Sequence, residues 1–103
     1  MGLFNFLKKE KITILGIEFP MFNEGIKTWT ESKKTKKYER KDYYYLKYEP
    51  EKICNYFPII STYGFKAISN KKFIKGNSYI IVENYNNHLH IAFQVNKWII
   101  FIN

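Results

Sequence analysis

The chain is poor in the residues that build cross-links and catalytic centres. Its single cysteine, Cys54, cannot form an internal disulfide, and a secreted domain this small would usually need such staples. A reducing cytoplasm is therefore the expected compartment. The five glycines are scattered, with no phosphate-cradling run, and nucleophile-elbow, zinc and kinase-type patterns are missing. The nine acidic residues sit mostly beside lysines, which leaves little for a paired-carboxylate hydrolase. Neither enzymatic activity nor a cofactor is expected. No apolar run reaches transmembrane length. Residues 1–11 do not read as a signal peptide, because the lysines follow a short apolar part and no small-residue cleavage site comes after. A myristoylation signal would need Ser or Thr at the position of Phe6.

Arginine is nearly absent as well. Arg40 is the only one among 17 basic residues, which outnumber the acidic ones to give a formal charge of +8. Lysine acts as a mobile point charge, whereas arginine reads guanine and clamps phosphate with a rigid fork. The charge thus points to an acidic partner without pointing to base-specific reading of nucleic acid. A bias to Lys, Asn, Ile and Tyr is also what an AT-rich genome encodes.

Aromatic and β-branched residues are abundant. With 19% aromatics, nine Tyr and nine Phe, the composition favours pleated surfaces, and 46% hydrophobic residues suit a globular chain. Its 103 residues can close one core, so a single domain over 1–103 is expected, with 1–10 a short arm or helix and 11–103 a β-rich body. Leu3, Phe4, Phe6 and Leu7 share one face of that short helix. Two turns bury too little to hold a membrane alone, so a membrane partner is not expected.

The remaining elements follow from alternation and punctuation. Residues 11–19 predict a strand ending at Pro20, and 26–31 a second carrying Trp29, with helical spacing of Phe22, Ile26 and Trp29 as the competitor. The polar run 32–37 marks a hairpin tip before a long strand, Tyr38–Tyr48. Alternation there puts Tyr44, Leu46 and Tyr48 on one face and Tyr43, Tyr45 and Lys47 on the other, and one set must face the core. Pro50 suits the first turn of a short helix stopping before Pro58, with Ile53, Cys54 and Phe57 inward. Residues 59–60 and 65–68 read as short strands, and 70–77 as a basic connector.

Three apolar runs, 78–85, 88–95 and 98–102, separated by Asn86-Asn87 and Asn96-Lys97, predict a C-terminal three-stranded meander with two-residue turns. Tyr85 then opposes His88, Glu83 opposes His90, Val82 opposes Ile91 and Ile80 opposes Phe93. In the second hairpin Val95 opposes Trp98, Phe93 opposes Ile100 and Ile91 opposes Ile102. One face collects Ile80, Val82, Leu89, Ile91, Phe93, Val95, Trp98, Ile100 and Ile102 as the main core. The other carries Tyr79, Ile81, Ala92, Ile99 and Phe101 among Glu83, His88, His90 and Gln94. The fold class expected is α+β, a small domain dominated by antiparallel sheet, with an all-β barrel or sandwich as the alternative.

His88 and His90 with Glu83 could hold zinc, but Glu–His cross-strand pairs are ordinary sheet contacts, and no metal is expected. Cys54 lacks a context that would activate its thiol and is expected to be a buried structural residue. The remaining constellation is the hairpin 33–47, where Lys33, Lys34, Lys36, Lys37, Arg40, Lys41 and Lys47 are interleaved with Tyr38, Tyr43 and Tyr45. One reading is a solvated, lysine-rich tip that keeps an edge from aggregating. The functional reading is a non-catalytic protein-binding inhibitor that occludes a larger protein with an acidic surface. A bacterial immunity protein or a phage-encoded inhibitor of a host defence enzyme is of this class. The alternative is a module that binds single-stranded DNA or RNA with the same hairpin, by phosphate neutralisation and base stacking.

Overall fold

A computed structural model of the chain describes residues 11–85 and 88–97. They form eight strands and one helix: β1 (Lys11–Ile14), β2 (Ile17–Pro20), β3 (Gly25–Lys34), β4 (Tyr38–Tyr48), α1 (Pro50–Thr62), β5 (Lys66–Ala67), β6 (Lys72–Lys75), β7 (Ser78–Tyr85) and β8 (His88–Asn96). Strands β3 to β8 make one antiparallel sheet in the order β3-β4-β8-β7-β6-β5, while β1 and β2 form a separate hairpin. The α+β class therefore stands. No barrel is found: among the described residues the sheet is open, with β3 and β5 at its two ends.

The β7–β8 hairpin has the expected register, with Ile80 opposite Phe93, Val82 opposite Ile91, Glu83 opposite His90 and Tyr85 opposite His88. Its expected core face is also found, as Ile80, Val82, Leu89, Ile91, Phe93 and Val95 are all buried. The predicted third strand over 98–102 and the helix over 1–10 lie outside the described residues, as does the Asn86-Asn87 turn. The free side of β8 that the third strand needed is taken by β4, which sets Val95 against Glu39, Phe93 against Lys41 and Ile91 against Tyr43. A meander of consecutive strands exists, but it is β5-β6-β7-β8. Residues 70–77 are thus not merely a connector. Phe73 is buried against Phe57, and Gly76 at φ 58 with Asn77 makes a two-residue turn that pairs Lys75 with Ser78.

Two further expectations are corrected. The apolar run 11–19 is two strands rather than one, because Leu15 and Gly16 both adopt positive φ, 50 and 80, as a type I′ turn demands. The helix does not stop before Pro58 but runs on to Thr62, taking up Ile59 and Ile60. Proline removes one helical hydrogen bond, whose acceptor belongs to Cys54. Cys54 and Pro58 are both exposed, so solvent can reach the freed carbonyl, while Ile53, Tyr56 and Ile60 form the buried stripe. Cys54 therefore points outward, not into the core. Among the described residues no helix is long and apolar enough to cross a membrane.

The core lies between one sheet face and a layer made of α1 and the β1–β2 hairpin. Phe19 packs against Phe65 and Phe93 with ring centroids 5.4 and 5.3 Å away. Phe22 makes edge contacts with Tyr45 and Tyr56 at 5.3 and 5.4 Å. Both phenols end on backbone: Tyr45 donates to the Phe22 carbonyl at 2.7 Å and Tyr56 to the Pro20 carbonyl at 2.6 Å. Burial pushes the Tyr56 phenol well above its ordinary range, so it remains a donor at any physiological pH. Tyr56→Phe keeps the ring and strands the carbonyl. It is expected to lower unfolding free energy by about 1–3 kcal/mol in urea titration, with the denaturant slope unchanged.

Candidate binding surface

Alternation along β4, fixed by its pairing with β8, sends Tyr43 and Tyr45 into the core. Tyr43 packs edge-on to Phe93 at 5.7 Å. Two of the three tyrosines read from the sequence as surface anchors are therefore core residues, and Tyr44 lies on the opposite face, which by alternation it shares with Tyr38. Tyr38 is half-buried at the start of β4, with its backbone N–H held by the Thr35 hydroxyl at 3.0 Å.

That opposite face carries a polar network rather than free cations. Arg40 and Asp42, two apart on β4, face the same way. The guanidinium donates to both Asp42 oxygens, through Nε at 2.9 and 3.0 Å and through Nη2 at 2.9 Å. Its Nη1 reaches Gln94 Oε1 at 3.1 Å, and Gln94 donates on to Asn96 Oδ1 at 2.8 Å. His90 Nε2 lies 2.7 Å from Asp42 Oδ2, the oxygen that Arg40 Nη2 also reaches, and its Nδ1 lies 3.4 Å from Glu83 Oε1. Tyr44 stacks on the imidazole with centroids 4.4 Å apart and planes 3° from parallel. The expected Glu83–His90 contact is present, but Asp42 is the closer partner. Both imidazole nitrogens are occupied by carboxylates, which leaves no ring nitrogen open to a substrate. Among the described residues no group of three His, Cys, Asp or Glu side chains converges on a metal position.

Burial alone would raise the Asp42 carboxyl. The hydrogen bonds from Arg40 and His90 outweigh it and hold the group below the ordinary carboxylate range. The same contact holds the Arg40 guanidinium above its ordinary value. Burial, then the charges of Asp42 and Glu31, push the Tyr44 phenol up, and its hydroxyl stays 3.4 Å from Glu31 Oε1. Arg40 is thus a structural cation committed within the sheet, not one offered to a partner.

The other predicted cations are distributed differently. Lys33, Lys36 and Lys37 are exposed at the outer end of the β3–β4 ribbon with no ion pair among the described residues, while Lys34 meets Glu39 at 3.2 Å. Lys41 is half-buried and has no ion pair among the described residues. Lys47 is exposed at the ribbon's root. The structure therefore separates the lysine tip from Tyr43 and Tyr45, which the sequence reading grouped with it, and leaves Tyr38 half-buried at the tip.

An apolar surface that the sequence reading missed lies between them. Every residue of β3 after Gly25 is exposed, and its Trp29 and Ile26 are 59% and 57% accessible. Leu46 is 46% accessible on β4. The register slips on either side of Lys27, leaving Leu46 and Thr28 without cross-strand partners, and such bulges re-aim side chains. The result is a chain of shallow depressions. One of about 820 Å³ is lined by Ile26, Leu46, Lys47 and His88; a second of about 130 Å³ shares Leu46 and His88 and adds Tyr44; a third runs from Tyr44 to Trp29. The sequence signal for this surface was Trp29 on a strand beside the lysine-rich tip.

The chain matches no known protein family, no curated protein and no solved structure.

Asp42→Asn tests the network. The folded-state pKa of Asp42 is lowered, so its contribution is present above the unfolded-state value of 3.8 and is lost as pH falls through the folded-state value. At pH 7 the substitution leaves Arg40 and His90 without their charged partner. A loss of about 3 kcal/mol is expected in urea titration. The gap between the two proteins should close as the titrations are repeated at progressively lower pH, below that of the free carboxyl.

Proposed function

We propose that the protein is a non-catalytic binding protein that occludes a larger protein with an acidic surface, by laying the β3–β4 ribbon against it. The exposed Trp29 carries this reading. Tryptophan is among the residues most enriched at interface hot spots, and here it adjoins Tyr44, with exposed Ile26 and Leu46 nearer the root of the ribbon and lysines at both of its ends. An apolar centre with a charged rim is the anatomy of a protein interface. Inhibitors such as immunity proteins and phage-encoded blockers of defence enzymes fall in this class.

The nucleic-acid reading draws on the unpaired lysines of the tip. It is weakened by the position of the rings. Stacking bases on Trp29 and Tyr44 would bring phosphates beside Glu31 and Asp42, and Tyr43 and Tyr45 are buried, which leaves only the half-buried Tyr38 beside the tip lysines on β4.

The test is affinity capture from the native cells after nuclease treatment, followed by binding measurements with the purified partner. Trp29→Glu is expected to weaken binding by about thirtyfold or more, the scale of a hot-spot tryptophan, with the circular dichroism unchanged because Trp29 is exposed. Reversing Lys33, Lys34, Lys36 and Lys37 together to Glu should slow association and reduce its salt dependence. Capture of oligonucleotides alone, falling steeply with salt and indifferent to Trp29→Glu, would overturn the proposal.

A further inference from the structure

The β1–β2 turn leans over the outer end of the β3–β4 ribbon and closes a groove of about 290 Å³. Its floor is the sheet face that, nearer the root, carries Tyr43 and Tyr45. Here that face bears the cross-strand pairs Ser32–Lys41 and Lys34–Glu39, and its wall is made by Thr13 and Leu15. We infer that this groove binds an acidic peptide segment, with a carboxylate on Lys41 and a neighbouring apolar side chain against Leu15. The inference rests on the protein-binding reading above and supplies the chemistry of the segment that the ribbon would take.

Two observations meet in the groove. Lys41 is a half-buried cation with no carboxylate partner among the described residues, which leaves its charge for an incoming anion. Lys34 beside it pairs with Glu39 but is 78% exposed, so that bridge can exchange for a ligand carboxylate at little cost. The second observation is the turn. Leu15 is held at φ 50 with 49% of its surface accessible. A type I′ turn is best served by Asn-Gly, and a leucine there gives up backbone energy while displaying an apolar side chain to solvent. Strain kept at an exposed position beside an unpaired cation is the pattern of a contact residue.

The ligand chemistry follows from what lines the groove. Glu39 would oppose a phosphate dianion more than a single carboxylate, and Leu15 gives a phosphate nothing to bind. Among the described residues no aromatic ring lines the groove, so they offer bases no stacking platform there. A segment alternating acidic and apolar residues meets both Lys41 and Leu15.

The full chain, labelled with nitrogen-15, would be titrated with an octapeptide alternating glutamate and leucine, and with the glutamine–leucine counterpart, inorganic phosphate and oligothymidylate. Amide shifts confined to residues 13–15, 32–34 and 39–41, seen with the acidic peptide and not with the glutamine version, are expected. Lys41→Gln should weaken binding about tenfold. Leu15→Gly should weaken it severalfold without lowering the thermal midpoint, since glycine relieves the positive φ. Shifts at Ile26, Trp29 and Leu46 instead, no shifts at all, or tighter binding of phosphate or oligothymidylate would each overturn the inference. None of these would touch the Trp29-dependent capture of a partner, which tests the wider reading by itself.

Discussion

The hydroxyls of Tyr45 and Tyr56 donate to the carbonyls of Phe22 and Pro20, and the two layers of the molecule meet through these bonds. Tyr45 belongs to the sheet, Tyr56 to the helix, and the accepting carbonyls to the segment leaving β2. Residues 20–22 are buried or half-buried, so their backbone would be costly to leave unpaired. A phenol answers both needs, with a ring that fills core volume and a donor at its far end. Phe22 sits edge-on to both rings, which joins the hydrogen bonds to the aromatic packing. The β1–β2 hairpin is no part of the main sheet, and this clamp helps fix where it lies.

Committing Tyr45 inward has consequences along the whole of β4. Tyr43 must follow it, and Arg40, Asp42 and Tyr44 must face the other way. Two ionic side chains on a central strand next to β8 are expensive unless they are satisfied together. The bidentate Arg40–Asp42 contact and the second bond from His90 meet that requirement, and Tyr44 lies flat over the imidazole. The contacts of this cluster are thus made within the sheet, where the Asp42 carboxylate neutralises the Arg40 guanidinium.

Much of the sheet was legible in the sequence because hairpins are local. The β7–β8 register followed from the two-residue turn and alternation alone, and β4 was bounded by the tip and by Pro50. What failed was everything that depended on a distant partner. Whether Tyr43 or Tyr44 faces the core is undecidable until β4 is known to pair with β8, 48 residues away in the case of Asp42 and His90. That pairing also occupies the side of β8 on which a C-terminal strand was expected. Strand β6 was missed because its apolar core is only Phe73-Ile74 between lysines, yet the Gly76-Asn77 turn signal was present. At Pro58 a local rule lost to tertiary packing, since ending the helix there would have left Ile60 outside a core in which it is fully buried.

The surface proposed here differs from the hairpin set read from the sequence for a related reason. Sequence proximity joined the lysines of the tip to Tyr43 and Tyr45, whereas the pleat separates them by face and the bulges near Lys27 bring out Leu46 instead. The unpaired lysines then sit at one end of an edge strand whose middle is Trp29. Edge strands ordinarily avoid a large exposed ring, because an apolar edge invites pairing with other chains, and lysines are the usual protection. Here both are present on the ten residues of β3. On the proposed reading, the lysines discourage indiscriminate pairing while Trp29 remains available to a surface that can neutralise them, and an acidic protein surface meets both conditions where another basic copy of the chain does not.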